Sequence, residues 1–310
     1  MKSFEQKLSE AISLCEGNFV NFKHSFYQYY QFATENIADY IKYFNLKNKS
    51  LLTVGSSGDQ ILNAYLYGAR DITLIDVCEY SKFYIFLKIS AILCLSYSEF
   101  REFFFEYGTE SYYNKKRYSK DTFLKIKPTL RLLDYESYLF FDELFTLFRS
   151  TEIKDNLSAA EEDRPKIITS YNTYLKDEQT YNALKNKLKG IYFNFINTNI
   201  HDANIDRKFD NIFLSNLCTY CELDKLKELI DKLAANNLNE SGKILFAYLY
   251  NIKFDEKYYE KDWKTIYKMP IMKEVLKDYI HEYHEIKGDY GIMWDHPEEK
   301  EDLVLIYKKK

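Results

Sequence analysis

Apolar positions along this chain follow two periods, and the switches between them mark out the elements. From 4 to 44, apolar and aromatic residues recur every three to four positions, as at Phe26, Tyr29, Tyr30, Ala33 and Ile37, which predicts N-terminal helices. Asn45 to Ser50 is a polar break. Leu51-Leu52-Thr53-Val54 is then a short apolar run ending at Gly55, the pattern of a buried strand. Ile61, Leu62, Tyr65 and Leu66 form one helical face, closed by Gly68, and Ile72-Thr73-Leu74-Ile75 is a second buried strand ending at Asp76. Strand, glycine loop, helix, strand and acid make one βαβ unit of Rossmann type.

The next stretch departs from a simple βαβ alternation. Glu79 to Tyr107 holds neither Gly nor Pro and reads as helix, with a break at Ser96-Tyr97-Ser98-Glu99, whose spacing is that of a capping box. The pattern stays helical and aromatic to about Lys189, with Pro128 and Pro165 as expected punctuation. Strands resume at Ile191 to Ile196, Asn211 to Asn216 and Lys243 to Tyr250, the last after an expected turn at Ser241-Gly242. Leu223, Leu226, Leu229, Ile230 and Leu233 mark an amphipathic helix between the latter two. Tyr279 to Ile286 and Leu303 to Tyr307 read as an antiparallel pair. The predicted organisation is an N-terminal helical segment (1–48), an α/β Rossmann-like domain formed by 49–104 and 189–310, and a helical insertion at 105–188 between the second and third predicted strands of that domain.

Composition narrows the range of functions. The chain has 310 residues, 46% hydrophobic and 29% charged, with 30 Tyr and 23 Phe against 9 Gly and 4 Pro. AT-rich codons alone produce such a bias. A net charge of −4, with Lys and Glu interspersed, lacks the basic footprint of a nucleic-acid binder. Five cysteines, at 15, 78, 94, 218 and 221, form no disulfide framework. No apolar run reaches a membrane-spanning length, and Met1 to Gly17 lacks the apolar core of a signal peptide, so a cytoplasmic location is expected.

The candidate chemistry lies in Gly55-Ser56-Ser57-Gly58-Asp59. Glycine there permits close backbone approach to a ligand, and the N–H groups at the start of the following helix favour an anionic group. Asp76 lies 21 residues after Gly55, the spacing at which an acid accepts hydrogen bonds from ribose hydroxyls. The loop lacks the three-glycine fingerprint of nicotinamide-cofactor enzymes. Cys218-Thr219-Tyr220-Cys221 and His281-Glu282-Tyr283-His284 lack the spacing and further ligands of a metal site, so none is expected.

Taken together, residues 51 to 60, 68 to 76, Leu87-Lys88, Ser96 to Phe100 and Ser215-Asn216 resemble the DUF3419 family. Its BtaA-type members transfer the 3-amino-3-carboxypropyl group of S-adenosylmethionine to diacylglycerol. A wider likeness, over about 50 to 307, is to class I methyltransferases. The resemblance implies a Rossmann-like class I methyltransferase fold and S-adenosylmethionine as cofactor. Gly55, Ser56, Ser57, Gly58 and Asp59 would hold its amino-acid end. Asp76 would hold the ribose, Val77 would flank the adenine, Asn199 and Ile200 would contact it with Asp202 as the reserve, and Ser215 and Asn216 would also contact the cofactor. The implied activity is aminocarboxypropyl transfer to a hydroxyl or amine of a small-molecule or lipid acceptor, with methyl transfer and a non-catalytic binding role as alternatives.

A base must take the acceptor's proton. Tyr220, a short step after Ser215-Asn216, is one candidate. Asp142, on a helical face shared with Asp134 and Tyr138, and the adjacent Glu143 are others; both interrupt the aromatic run from Tyr138 to Phe145, and an acid among aromatic side chains has a raised pKa. Tyr112, Tyr113, Tyr248 and Tyr250 are candidate liners of the acceptor pocket.

Overall fold

The structure is a computed structural model, and it describes residues 3–15, 31–33, 35–55, 57–105, 117–147, 152–154, 165–247, 249, 272, 274–287 and 300–307. Among these a seven-stranded sheet organises the chain. Its strands are β1 (Ser50–Val54), β2 (Asp71–Asp76), β5 (Phe193–Asn197), β6 (Phe209–Phe213), β7 (Leu238–Phe246), β8 (Ile280–Lys287) and β9 (Lys300–Tyr307), in the order β5-β2-β1-β6-β7-β9-β8. The first five in that order run parallel, while β9 lies antiparallel to both β7 and β8. Parallel strands buried on both faces are near-continuous apolar runs, here Leu51, Leu52, Ile72, Leu74, Ile75, Ile212 and Phe213, with Thr53, Thr73 and Asn211 the buried polar exceptions. This order, with a reversed final strand inserted beside the fifth parallel strand, defines a Rossmann-like class I methyltransferase fold.

The predicted strands all form, with shifted ends. One boundary differs for a physical reason. The turn expected at Ser241-Gly242 lies inside β7, which begins at Leu238 and changes register against β6 between Phe209 and Asn211. Gly242 has no room for a side chain there, since a Cβ would lie 2.6 Å from Leu238 Cδ1. The glycine serves a close approach within an irregular strand, not a reversal.

Helices α3 (Asp59–Leu66), α4 (Ser81–Cys94), α5 (Tyr97–Phe105), α9 (Glu178–Lys187) and α10 (Leu223–Lys232) surround the sheet. Nearly every side chain of α4 is buried, which is the behaviour of a helix apolar on all sides. The break between α4 and α5 falls where the capping box placed it: Ser96 Oγ accepts from Glu99 N–H, and the Glu99 carboxylate accepts from Ser96 N–H at 2.9 Å.

The region between β2 and β5 is mainly helical. It contains α6 (Lys120–Leu133), α7 (Tyr135–Leu147) and α8 (Pro165–Tyr171), together with a short antiparallel pair, β3 (Arg117–Ser119) and β4 (Glu152–Lys154), that periodicity did not reveal. Pro128 does not interrupt this region: it sits inside α6. Buried Phe123, Ile126 and Leu130 anchor that helix on both sides of the proline, so packing outweighs the lost backbone bond. The tie to α7 is aromatic, with Phe123 stacked on Phe145 at 4.1 Å between centroids.

Of the N-terminal helices, α1 (Phe4–Cys15) is present, and α2 (Ile37–Tyr40) is a single turn continued by a 3-10 turn at Ile41–Tyr43. Among the described residues no helix is long and apolar enough to cross a membrane.

Candidate functional site

Parallel pairing lines up the strand ends. Val54 pairs with Ile75, so the chain leaves β1 at Gly55 beside Asp76. Asp76 pairs with Asn197, and Thr53 pairs with Phe213. One edge of the sheet therefore carries Gly55 to Asp59, Asp76-Val77, Asn199 to Asp202 and Ser215-Asn216. Ligands of open α/β sheets bind at this carboxyl edge. Ser56 lies outside the described residues, as do Tyr112, Tyr113, Tyr248 and Tyr250.

The loop is shaped by Gly58, which has φ +75° and forms the N-cap of α3. A Cβ there would meet Ile85 Cγ1 at 2.8 Å, so both backbone and space demand glycine. At Gly55 (φ +152°) a Cβ would lie 2.9 Å from Gln60 Oε1. The Gln60 side chain thus folds back over the loop's first residue.

Asp59 is where the expected arrangement and the observed one part. Its carboxylate is fully buried and turned into the protein, where it accepts hydrogen bonds from Lys88 Nζ at 3.0 Å, Tyr174 OH at 2.7 Å and Ala33 N–H. The Lys88 ammonium, equally buried, also donates to the carbonyls of Gln31 (2.6 Å) and Ser57 (2.7 Å) and lies 4.3 Å above the Phe32 ring. Burial lowers the lysine's pKa and the Asp59 charge pulls it back up. The pair fastens the segment at 31–33 to the loop, so Asp59 shapes the loop from beneath.

Asp76 stands at the end of β2 as expected. Its oxygens accept from Cys78 N–H (2.8 Å) and Ser81 OH (2.9 Å), and burial pushes its pKa up to about 6. Val77 is nearly half exposed. Asn197 Nδ2 donates to the Asp76 carbonyl, which ties the two strand ends together. Beyond β5, Ile200 is buried while Asn199 and Asp202 are exposed, with the Asn199 side chain accepting from His201 N–H. His201 Nε2 lies 3.3 Å from Cys221 Sγ, a meeting of the two strand-end loops.

After β6, Ser215 adopts φ +48°, uncommon for a residue with a side chain. Ala247 N–H binds its carbonyl, and its hydroxyl donates to Glu35 Oε2 at 2.8 Å. Asn216 caps the 3-10 turn Leu217–Tyr220; that turn fixes the backbone of Tyr220, whose side chain lies outside the described residues.

The insertion's acids do not occupy the buried position expected of them. Ser137, Phe140, Phe141, Leu144 and Phe145 are the residues α7 buries, so Asp142 and Glu143 face away from its aromatic interior. Asp142 is bound by Lys127 Nζ at 2.6 Å and Tyr138 OH at 3.0 Å, and Glu143 is exposed. The i, i+4 spacing puts Asp142 against Tyr138, while the buried rings Phe140, Phe141 and Phe145 lie on another face of the helix.

Glu35, Gln60, Lys88 and Tyr174 had no assigned role in the sequence reading. Lys88 carried a signal, being a charge set among the apolar residues that follow Lys82 in α4, where burial demands an acidic partner. Glu35 carried none, because it reaches the sheet edge from a different part of the chain.

No family model matches the chain, and no curated protein matches it. Solved structures similar to it include the N-methyltransferase NodS from Bradyrhizobium japonicum WM9 in complex with S-adenosyl-L-homocysteine (10% identity, 100% of this chain and 100% of that one, TM-score 0.42). Another is the magnesium protoporphyrin IX methyltransferase ChlM from Synechocystis PCC 6803 with bound SAM (8% identity, 99% and 85%, TM-score 0.37). A third is an S-adenosylmethionine-dependent methyltransferase from Clostridium acetobutylicum ATCC 824 (11% identity, 98% and 99%, TM-score 0.39).

Proposed function

We propose that this chain is an S-adenosylmethionine-dependent transferase that holds its cofactor along the carboxyl edge of β5, β2, β1 and β6. The observation that carries the reading is the juxtaposition of the Gly55–Gly58 loop with Asp76 on adjacent parallel strands of a class I methyltransferase sheet. The loop's N–H groups suit the cofactor's carboxylate, and a carboxylate one strand away suits its ribose diol. Gly55, Ser57, Gly58 and Ser56 would line the amino-acid end, with Asp59 acting through the loop's shape. Val77, Asn199 and Ile200 would border the adenine, with Asp202 in reserve, and Ser215 and Asn216 would border the sulfonium. Calorimetry with S-adenosylmethionine and S-adenosylhomocysteine tests this reading. Micromolar binding by the wild type and its loss in Asp76→Ala are expected; no heat with either ligand in the wild type overturns it.

The group transferred depends on which carbon of the sulfonium faces the acceptor. The sequence resemblance of the loop and Asp76 favours the 3-amino-3-carboxypropyl group, and the fold equally accommodates methyl transfer. Tyr220, carried on the turn after β6, is the proposed proton acceptor. Chromatography of the spent cofactor, after incubation with diacylglycerol vesicles or a small-metabolite extract, separates the two reactions. Aminocarboxypropyl transfer releases 5′-methylthioadenosine, and S-adenosylhomocysteine alone excludes it.

A further inference from the structure

The carboxylate of Glu35 is buried at the sheet edge, with its side chain brought there by the segment before α2. Three elements hold it: Tyr40 OH of α2 donates to Oε1 at 2.9 Å, Gln60 Nε2 of α3 donates to the same oxygen, and Ser215 OH after β6 donates to Oε2. Oε2 thus retains a lone pair beyond its bond from Ser215. Burial raises the pKa of this carboxyl, opposed by its hydrogen bonds, and the Asp59 charge raises it further. Next to it, Gln60 Oε1 is buried and has no hydrogen-bond partner among the described residues, and it is the atom turned over Gly55. The buried cation of this region, Lys88, is engaged on Asp59 and two carbonyls. Gln60 Oε1 therefore lies beside the loop's first glycine, and the other end of the same amide is bonded to the Glu35 carboxylate. A buried acceptor without a partner carries a desolvation cost that a cationic donor removes.

The cofactor reading supplies that donor. The amino-acid end of S-adenosylmethionine presents a carboxylate, suited to loop N–H groups, and an ammonium, which needs oxygen acceptors. We infer that Glu35, together with Gln60 Oε1, receives the α-ammonium of the cofactor. The inference rests on the proposed cofactor and assigns a specificity-determining role to a residue outside the βαβ unit.

The test compares S-adenosylhomocysteine with two probes, its des-amino analogue and 5′-methylthioadenosine, which lacks the amino-acid end. Equilibrium binding is measured for wild type, Glu35→Gln and Gln60→Leu. Wild type should bind the des-amino analogue about 10- to 100-fold more weakly than S-adenosylhomocysteine, the loss of one charge-assisted hydrogen bond. Each variant should lose a similar factor toward S-adenosylhomocysteine while binding 5′-methylthioadenosine as wild type does. Equal affinity of wild type for the amino and des-amino ligands overturns the inference, as does an equal loss toward all three ligands in both variants. A wild type that binds none of the three overturns the cofactor reading instead. Should Glu35→Gln fail to fold, Gln60→Leu and the wild-type comparison still decide.

Discussion

Lys88 Nζ and Asp59 Oδ1 lie 3.0 Å apart with both side chains out of solvent, held also by the Gln31 and Ser57 carbonyls, the Ala33 N–H and the Tyr174 hydroxyl. Removing one partner of such a pair leaves a buried charge without compensation. Lys88→Met is expected to cost about 3–5 kcal/mol in urea unfolding, and Asp59→Leu a comparable amount. The double variant Lys88→Met/Asp59→Leu is expected to recover part of that loss. Additive losses in the double-mutant cycle would show that the two charges do not interact.

Gly58 combines two demands that can be separated by comparison with Gly190. Both have positive φ, +75° and +76°, but only at Gly58 does a Cβ strike a neighbour, Ile85 Cγ1 at 2.8 Å. Gly190→Ala is expected to cost about 1 kcal/mol from backbone strain alone. Gly58→Ala is expected to cost about 1–3 kcal/mol more through overpacking, and to weaken S-adenosylhomocysteine binding. Thermal melts of the two variants side by side check the difference.

Asp76 makes stability and binding respond oppositely to pH. Its folded pKa of about 6 exceeds the ordinary 3.8. The folded state therefore takes up this proton before the unfolded chain does. This group's contribution is most favourable below the unfolded value and is lost as pH rises through about 6. The ribose diol needs the ionised form, so affinity for S-adenosylhomocysteine is expected to fall as pH drops below about 6. In Asp76→Asn the affinity is expected to be weak throughout and free of that transition. Scanning and titration calorimetry between about pH 4 and 8 read the two effects.

Helix α6 offers a test of the insertion's packing through two leucines two positions apart. Leu130 is fully buried and Leu132 is 87% exposed. Leu130→Ala is expected to destabilise by about 2–5 kcal/mol, and Leu132→Ala by no more than about 0.5 kcal/mol. Urea titration of each variant distinguishes them.

The sheet was legible because its parallel strands are mainly apolar runs stopped by Gly55, Asp76 and polar turns, the pattern a doubly buried parallel strand favours. Loop and acid were legible for the same reason, as both sit directly at strand ends. Pro128 misled because local backbone preference yielded to Phe123, Ile126 and Leu130. The three-residue β3 and β4 are too short to show a period. Asp142 and Glu143 misled because the rings that α7 buries, Phe140, Phe141 and Phe145, lie on another face of the helix from the acids. Glu35 was silent because its meaning comes from Gln60 and Ser215, partners that only the folded chain supplies.

The contact between Glu35 and Ser215 spans 180 positions, and that between Asn63 and Asn172 spans 109. Contacts of such separation form after local ones, because chain closure must precede them. During synthesis, β1, the glycine loop and β2 emerge well before Ser215 exists to meet Glu35. The nascent loop therefore waits, unfinished, through the synthesis of α4 to α9. The Glu35 contact should therefore close late, and refolding is expected to restore helix content before affinity for S-adenosylhomocysteine.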